Sequence, residues 1–231
     1  LAERIGRTSR LNSTGGSTRG LKMQANLFGG TFGGFSVSPT GESFTGDYVL
    51  SYDMWQNYQA VTFVPANDPF PAGGGIIRGQ ASGTTNIAYG GIRTSGTLAN
   101  SAGVSDGVWF AATPDGDSGA DYRAYSSDRP VSYQLPVDQP NDADATYFAG
   151  SRNHTADLYV NNFGPEAPTL DQTALDPTGY TQDPDNMTDA GVLGFAWRQH
   201  TVTKEGDLVT WAVDGVNLIS VDTSNFTTAV G

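Results

Sequence analysis

The sequence contains no cysteine, which excludes a disulfide scaffold and thiolate metal sites and leaves the redox compartment open. No apolar run approaches the roughly 18 residues that a helix needs to cross a bilayer. Helix-forming charge is scarce as well. Lys22 and Lys204 are the only lysines, and Glu3, Glu42, Glu166 and Glu205 are the only glutamates, so the other acidic residues are all aspartate. Glu and Lys favour helix interiors, whereas Asp favours turns and oxygen-ligand sites. Histidine is rare too, with only His154 and His200.

What is present suits strands and turns. The 231 residues include 30 Gly and 12 Pro, and a hydrophobic fraction of 37% with 11% aromatics is enough to fill one large core. The formal net charge is −12. It is unevenly spread. Arg4, Arg7, Arg10, Arg19 and Lys22 face Glu3 alone in residues 1–22, a net of +4, so residues 23–231 carry −16 of the overall −12. An acidic body argues against nucleic acid, because a phosphate backbone needs a basic face. Because the chain starts at Leu1 and not at Met, a signal peptide or another upstream segment is expected before it.

Period-two alternation is clearest near the C-terminus. In 192–200, Leu193, Phe195 and Trp197 alternate with Gly194, Ala196 and Arg198, which predicts a half-buried strand. The run 204–207 reads as a turn, 208–213 as a strand with Val209, Trp211 and Val213 on one face, and Asp214-Gly215 as a type I′ hairpin turn before the strand 216–221. The pattern predicts a three-stranded antiparallel meander. Earlier strands are predicted at 21–27, 32–37 and 47–55, the last with Tyr48, Leu50, Tyr52 and Met54 sharing a face. Others are predicted at 60–64, 75–78, 85–94, 107–112, 121–126 and 146–148. Helical periodicity is absent. Segments 136–145 and 164–187, rich in Pro, Asp, Asn and Thr, read as long loops. Many short strands with such punctuation predict an all-β, two-sheet antiparallel sandwich or a barrel.

The run 208–221, LVTWAVDGVNLISV, resembles the strand, Asp-Gly hairpin and strand found near the end of concanavalin A-like and laminin G-like jelly-roll domains. The run 47–57, DYVLSYDMWQN, resembles their early core strand. With 107–112 (GVWFAA) and 121–125 (DYRAY), it is similar to versions in large secreted bacterial proteins, notably of planctomycetes. The likeness spans roughly residues 20–221 and implies a jelly-roll sandwich over 20–231, preceded by a basic arm at 1–19. In this family further strands normally follow the hairpin and pair with the N-terminal strand. Here the chain stops at Gly231, so either the terminal strands lie beyond it or another element supplies the edge. Such motifs place a fold better than a function.

Candidate chemistry is confined to acidic turns and aromatics. Asp115, Asp117 and Asp121 stand at positions 1, 3 and 7 of a Gly-rich turn, a spacing that can wrap oxygen ligands around Ca²⁺. That turn lacks the fifth-position ligand and the bidentate Glu of an EF-hand, and a solvated Asp/Gly loop is the simpler reading of it. Asp183, Asp185 and Asp189 form a second cluster, a rim Ca²⁺ site or a polar turn. Tyr58, Tyr122 and Tyr180 are loop-proximal and are the candidates to stack on sugar rings, whereas Trp55, Trp109, Trp197 and Trp211 read as core. No Glu-x-Asp-x-x-Glu pair suggests a sandwich-fold glycosidase, and no Gly-x-Ser-x-Gly elbow accompanies His154 or His200, which read as surface or structural residues. The reading is therefore a non-catalytic extracellular or cell-surface module. It binds glycan or another extracellular protein through rim loops, with Ca²⁺ as a candidate stabiliser. The alternative is a self-assembling structural protein of a surface layer, filament or matrix, joined as a homo-oligomer through the basic arm or an open sheet edge.

Overall fold

A computed structural model of the protein describes residues 37, 39–56, 88–96, 105–112, 121–126, 132–134, 140–141, 148–166, 188–226 and 230. Its strands are β1 (Tyr48–Trp55), β2 (Ala88–Gly96), β3 (Ser105–Ala112), β4 (Tyr122–Ser126), β5 (Ser132–Gln134), β6 (Pro140–Asn141), β7 (Phe148–Arg152), β8 (Trp197–Glu205), β9 (Leu208–Val213) and β10 (Val216–Asp222). A single helical turn, α1 (Asp157–Val160), follows β7. The strands form two antiparallel sheets, one ordered β1-β8-β9-β10-β5 and the other β2-β3-β4-β7-β6. The predicted strands at 21–27, 32–37, 60–64 and 75–78 fall outside the described residues, apart from Val37, which is not in a strand.

The β8–β9–β10 meander forms as the alternation predicts. Asp214 and Gly215 both take positive φ, 50° and 77°, as a type I′ turn requires. The strand expected over 192–200 begins only at Trp197. Phe195 stands at φ 57°, which breaks the extended run, and its amide donates to the carbonyl of Gln56 at 3.0 Å. Leu193, Phe195 and Ala196 are buried, but outside any strand. On its far side β10 pairs with β5, so the edge next to the Asp-Gly hairpin is occupied. Segment 136–145, read as loop, contributes the two-residue β6.

One apolar cluster draws on both sheets. Val108, Phe110 and Ala112 from β3 and Tyr122 and Ala124 from β4 meet Val202, Val209, Trp211, Val213, Ile219 and Val221 from the other sheet. The Phe110 and Trp211 rings stack at 5.6 Å between centroids, and Tyr122 meets Trp211 at 6.2 Å. These contacts bury large aromatic areas and outweigh the weak intrinsic preference of any one strand. At the β1 end the hydroxyl of Tyr52 fills the space that a side chain at Gly90 on β2 would need. Glycine there is a packing requirement, since any Cβ would meet the phenol. Tyr159 and Phe163, from α1 and the turn after it, join the same cluster together with Leu193.

Candidate functional site

Among the described residues, two places concentrate polar or aromatic side chains. The first lies at one end of β4 and β7. These strands pair with Tyr122 opposite Arg152, which brings Asp121, just before β4, beside the turn just after β7. One oxygen of Asp121, Oδ2, accepts from both the backbone amide and Nδ1 of His154, each at 2.8 Å. Asp121 is 0% exposed. Burial raises its carboxyl above the ordinary carboxylate range, and the two bonds from His154 followed by the Arg123 charge oppose that rise. With Asp121 ionised, Nδ1–H is the donor in that bond. Nε2 of His154 stands 4.0 Å from Oδ2 of Asp189, too far for a direct hydrogen bond.

Local packing fixes this arrangement. Gly191 sits at φ 95°, and a side chain there would strike the carbonyl of His154. The Gly191 amide donates to the carbonyl of Phe163 at 2.7 Å, and its own carbonyl accepts from the hydroxyl of Tyr122. Arg198 lies beside it, 2% exposed, with Nη2 on Glu166 at 3.1 Å, Nη1 on Asp214 at 3.2 Å, and its guanidinium over the Phe163 ring. The backbones at Glu166 and Thr188 clasp each other: Thr188 N donates to Glu166 O at 2.8 Å and Glu166 N donates to Thr188 Oγ1 at 2.9 Å.

The predicted rim residues thus fare unequally. Asp121 and Asp189, read as the last members of two separate acidic clusters, converge on His154 instead. Asp115, Asp117, Asp183 and Asp185 lie outside the described residues, as do Tyr58 and Tyr180. Among the described residues no group of three or more His, Asp or Glu side chains is placed to hold a metal ion. Tyr122 is not a surface aromatic. It is 1% exposed, stacked on Tyr159 at 3.8 Å between centroids and on Phe163 at 6.5 Å, and its hydroxyl is pushed well above its ordinary pKa by burial. His154 is a buried, hydrogen-bonded residue and not a surface one. His200 is buried too, with its Nδ1 accepting from Trp211 Nε1 at 3.3 Å.

The second place is the face of β1 and β8 turned away from the core. Along β8, Arg198, His200 and Val202 point inward, so Trp197, Gln199, Thr201 and Thr203 point outward. Register sets each against a β1 residue of the same face: Trp55 opposite Trp197, Asp53 opposite Gln199, Ser51 opposite Thr201, Val49 opposite Thr203. The two indoles are half-buried and meet at 6.1 Å between centroids, inclined by 58°. The polar row continues onto β9 and β10, where the hydroxyls of Thr210 and Ser220 pair at 2.9 Å. Reading Trp55 and Trp197 as core residues missed this pair. Parity held the signal for Trp55, since a strand that turns Tyr48, Leu50, Tyr52 and Met54 to one side turns Trp55 to the other.

No family model, curated protein or solved structure matches the chain. The resemblance to concanavalin A-like and laminin G-like domains is therefore carried by the sequence motifs alone.

Proposed function

We propose that the chain is a non-catalytic β-sandwich module of the concanavalin A-like jelly-roll type, acting outside the cell or at its surface and binding glycan. The supporting observation is the outer face of β1 and β8, where the half-buried Trp55–Trp197 pair adjoins the in-register pairs Asp53–Gln199 and Ser51–Thr201. Aromatic faces beside a few convergent hydrogen-bonding groups are what a ligand with apolar ring faces and hydroxyl edges requires. This moves the binding surface from the rim loops to a sheet face. Rigid strands position side chains better than loops do, which favours that location.

Ca²⁺ keeps a supporting part in this proposal. His154 occupies Oδ2 of Asp121, while Oδ1 is buried and has no hydrogen-bond partner among the described residues. A cation held by the 115–121 segment would satisfy that oxygen. A glycan array probed with the full chain, with and without EDTA, tests the function. Binding to one glycan class supports the module. An empty array under both conditions refutes it. Loss of binding with EDTA assigns the cation to the binding state, and a melting temperature unmoved by EDTA or added Ca²⁺ removes it from the proposal.

A further inference from the structure

Resting on the glycan-binding reading, we infer that the Trp55–Trp197 pair with Asp53 and Gln199 selects a single, uncharged polysaccharide chain, and not a flat crystalline surface or an acidic glycan. Two observations carry this: the angle between the rings and the sign of the charge on the face.

The indole planes are inclined by 58° at 6.1 Å between centroids. Two sugar rings stacked on them cannot lie in one plane, so consecutive rings must be turned against each other. A free chain does this by rotating about its glycosidic bond. Chains locked in a crystal face cannot. From Trp55 to Ser51 the strand advances about 13 Å at 3.3 Å per residue, enough for a short stretch of oligosaccharide beside the polar pairs. Asp53 brings carboxylate acceptors, Gln199 brings one acceptor and two donors, and Ser51 and Thr201 bring hydroxyls, which match a sugar's own mixed donors and acceptors.

Charge decides the class. Among the described residues the ionisable side chains sharing the parity of this face are Asp53, Glu205 and Asp222, all acidic, and the chain as a whole carries −12. The basic residues of β8 have the opposite parity: Arg198 is buried and bound to Glu166 and Asp214, and Lys204 reaches the carbonyl of Gly46 at the strand end. Among the described residues no cation shares that parity to pair a uronate or sulfate chain, which would meet like charge, whereas a neutral chain carries no such penalty.

The test is calorimetric titration of the full chain with three soluble neutral polysaccharides (xyloglucan, glucomannan, mixed-linkage β-glucan) and two acidic ones (polygalacturonate, heparin). A pull-down on microcrystalline cellulose is run beside it. At least one neutral chain should bind, at least tenfold more tightly than either acidic one, with no retention on cellulose. Trp55→Ala and Trp197→Ala should each weaken that binding at least tenfold. Because either truncation can loosen the sheet, Ser51→Arg, at an exposed position on the same face, should block the neutral chain while leaving the circular dichroism and melting temperature unchanged. Full binding by Ser51→Arg and by both tryptophan variants overturns this site and leaves the glycan-binding module standing. Equal or tighter binding of polygalacturonate or heparin overturns the ligand class, as does retention on cellulose. If none of the six materials binds, this inference falls, and the array decides whether the broader reading falls with it.

Discussion

Acidifying the folded protein from pH 7 towards pH 4 should remove about 3 kcal/mol of stability through one side chain, His200. Its ring is 1% exposed and lies between Tyr52, at 5.2 Å, and Trp211, at 5.9 Å between centroids. Trp211 Nε1 donates to Nδ1, so Nδ1 must hold a lone pair and the imidazole is neutral. Burial, the largest cause, lowers its pKa from 6.5 to about 4. Arg198 adds to that lowering, while Asp214 and Asp53 act against it. The unfolded chain therefore takes up a proton near pH 6.5 that the folded chain refuses until about pH 4. Stability from this group is complete above pH 6.5 and is lost progressively as pH falls; two and a half units at about 1.4 kcal/mol each give about 3–4 kcal/mol in full, of which about 3 kcal/mol is gone at pH 4, where the folded ring is itself half protonated.

Asp121 works in the opposite sense. Its raised pKa means the folded state binds a proton more readily than the unfolded one, so that group adds relative stability as pH falls. The assay must therefore be differential. Urea unfolding of the wild type and of His200→Gln, whose amide oxygen can still accept from Trp211, is followed at intervals from pH 7 to pH 4. The wild type should lose about 3 kcal/mol more than the variant across that window, with the shared Asp121 contribution cancelling. Parallel stability curves for the two proteins would refute the burial argument.

Three further outcomes follow from the same packing. Gly90→Ala should cost about 1–3 kcal/mol by driving a methyl group into the Tyr52 phenol, and the double variant with Tyr52→Ala should be less unstable than the two single effects combined. Simple additivity in a urea double-mutant cycle would show that the two residues do not compete for that space. Arg198→Met should cost about 3–5 kcal/mol, since it leaves Glu166 and Asp214 in a largely buried site without their cation; a melting temperature within a degree of wild type would count against the ion pairs. Asp121→Asn should cost about 1–3 kcal/mol by weakening both bonds from His154, read by urea unfolding at pH 7, and a neutral result would mean that the 121–154 link contributes nothing to the fold.

Part of the fold is legible in the sequence alone. The β9–β10 hairpin is written in Asp214-Gly215 and in the alternation on either side, because turn sterics and a period of two are local properties. The face of β1 was legible for the same reason: Tyr48 and Leu50 do pack on the core, and Tyr52 reaches Gly90 on the opposite sheet. The alternation in 192–196 misled, because buried Leu193 and Phe195 look like a strand in sequence although the positive φ at Phe195 breaks the extended run. Tyr122 misled in another way. Its neighbours in sequence are polar, whereas the neighbours that bury it, Tyr159, Phe163 and Trp211, are distant in the chain.

By itself, then, the sequence determined the strand-rich character, the two-residue turns and the acidic balance, all of which depend on residues close together in the chain. Only the tertiary structure decided which side of β8 faces inward, because Arg198 and His200 are acceptable there only once Glu166, Asp214, Tyr52 and Trp211 surround them. That choice turned Trp197 outward beside Trp55, and the β4–β7 register joined Asp121 to His154 across 33 residues. Burial free energy is shared among groups far apart in the chain, and no local pattern can assign it.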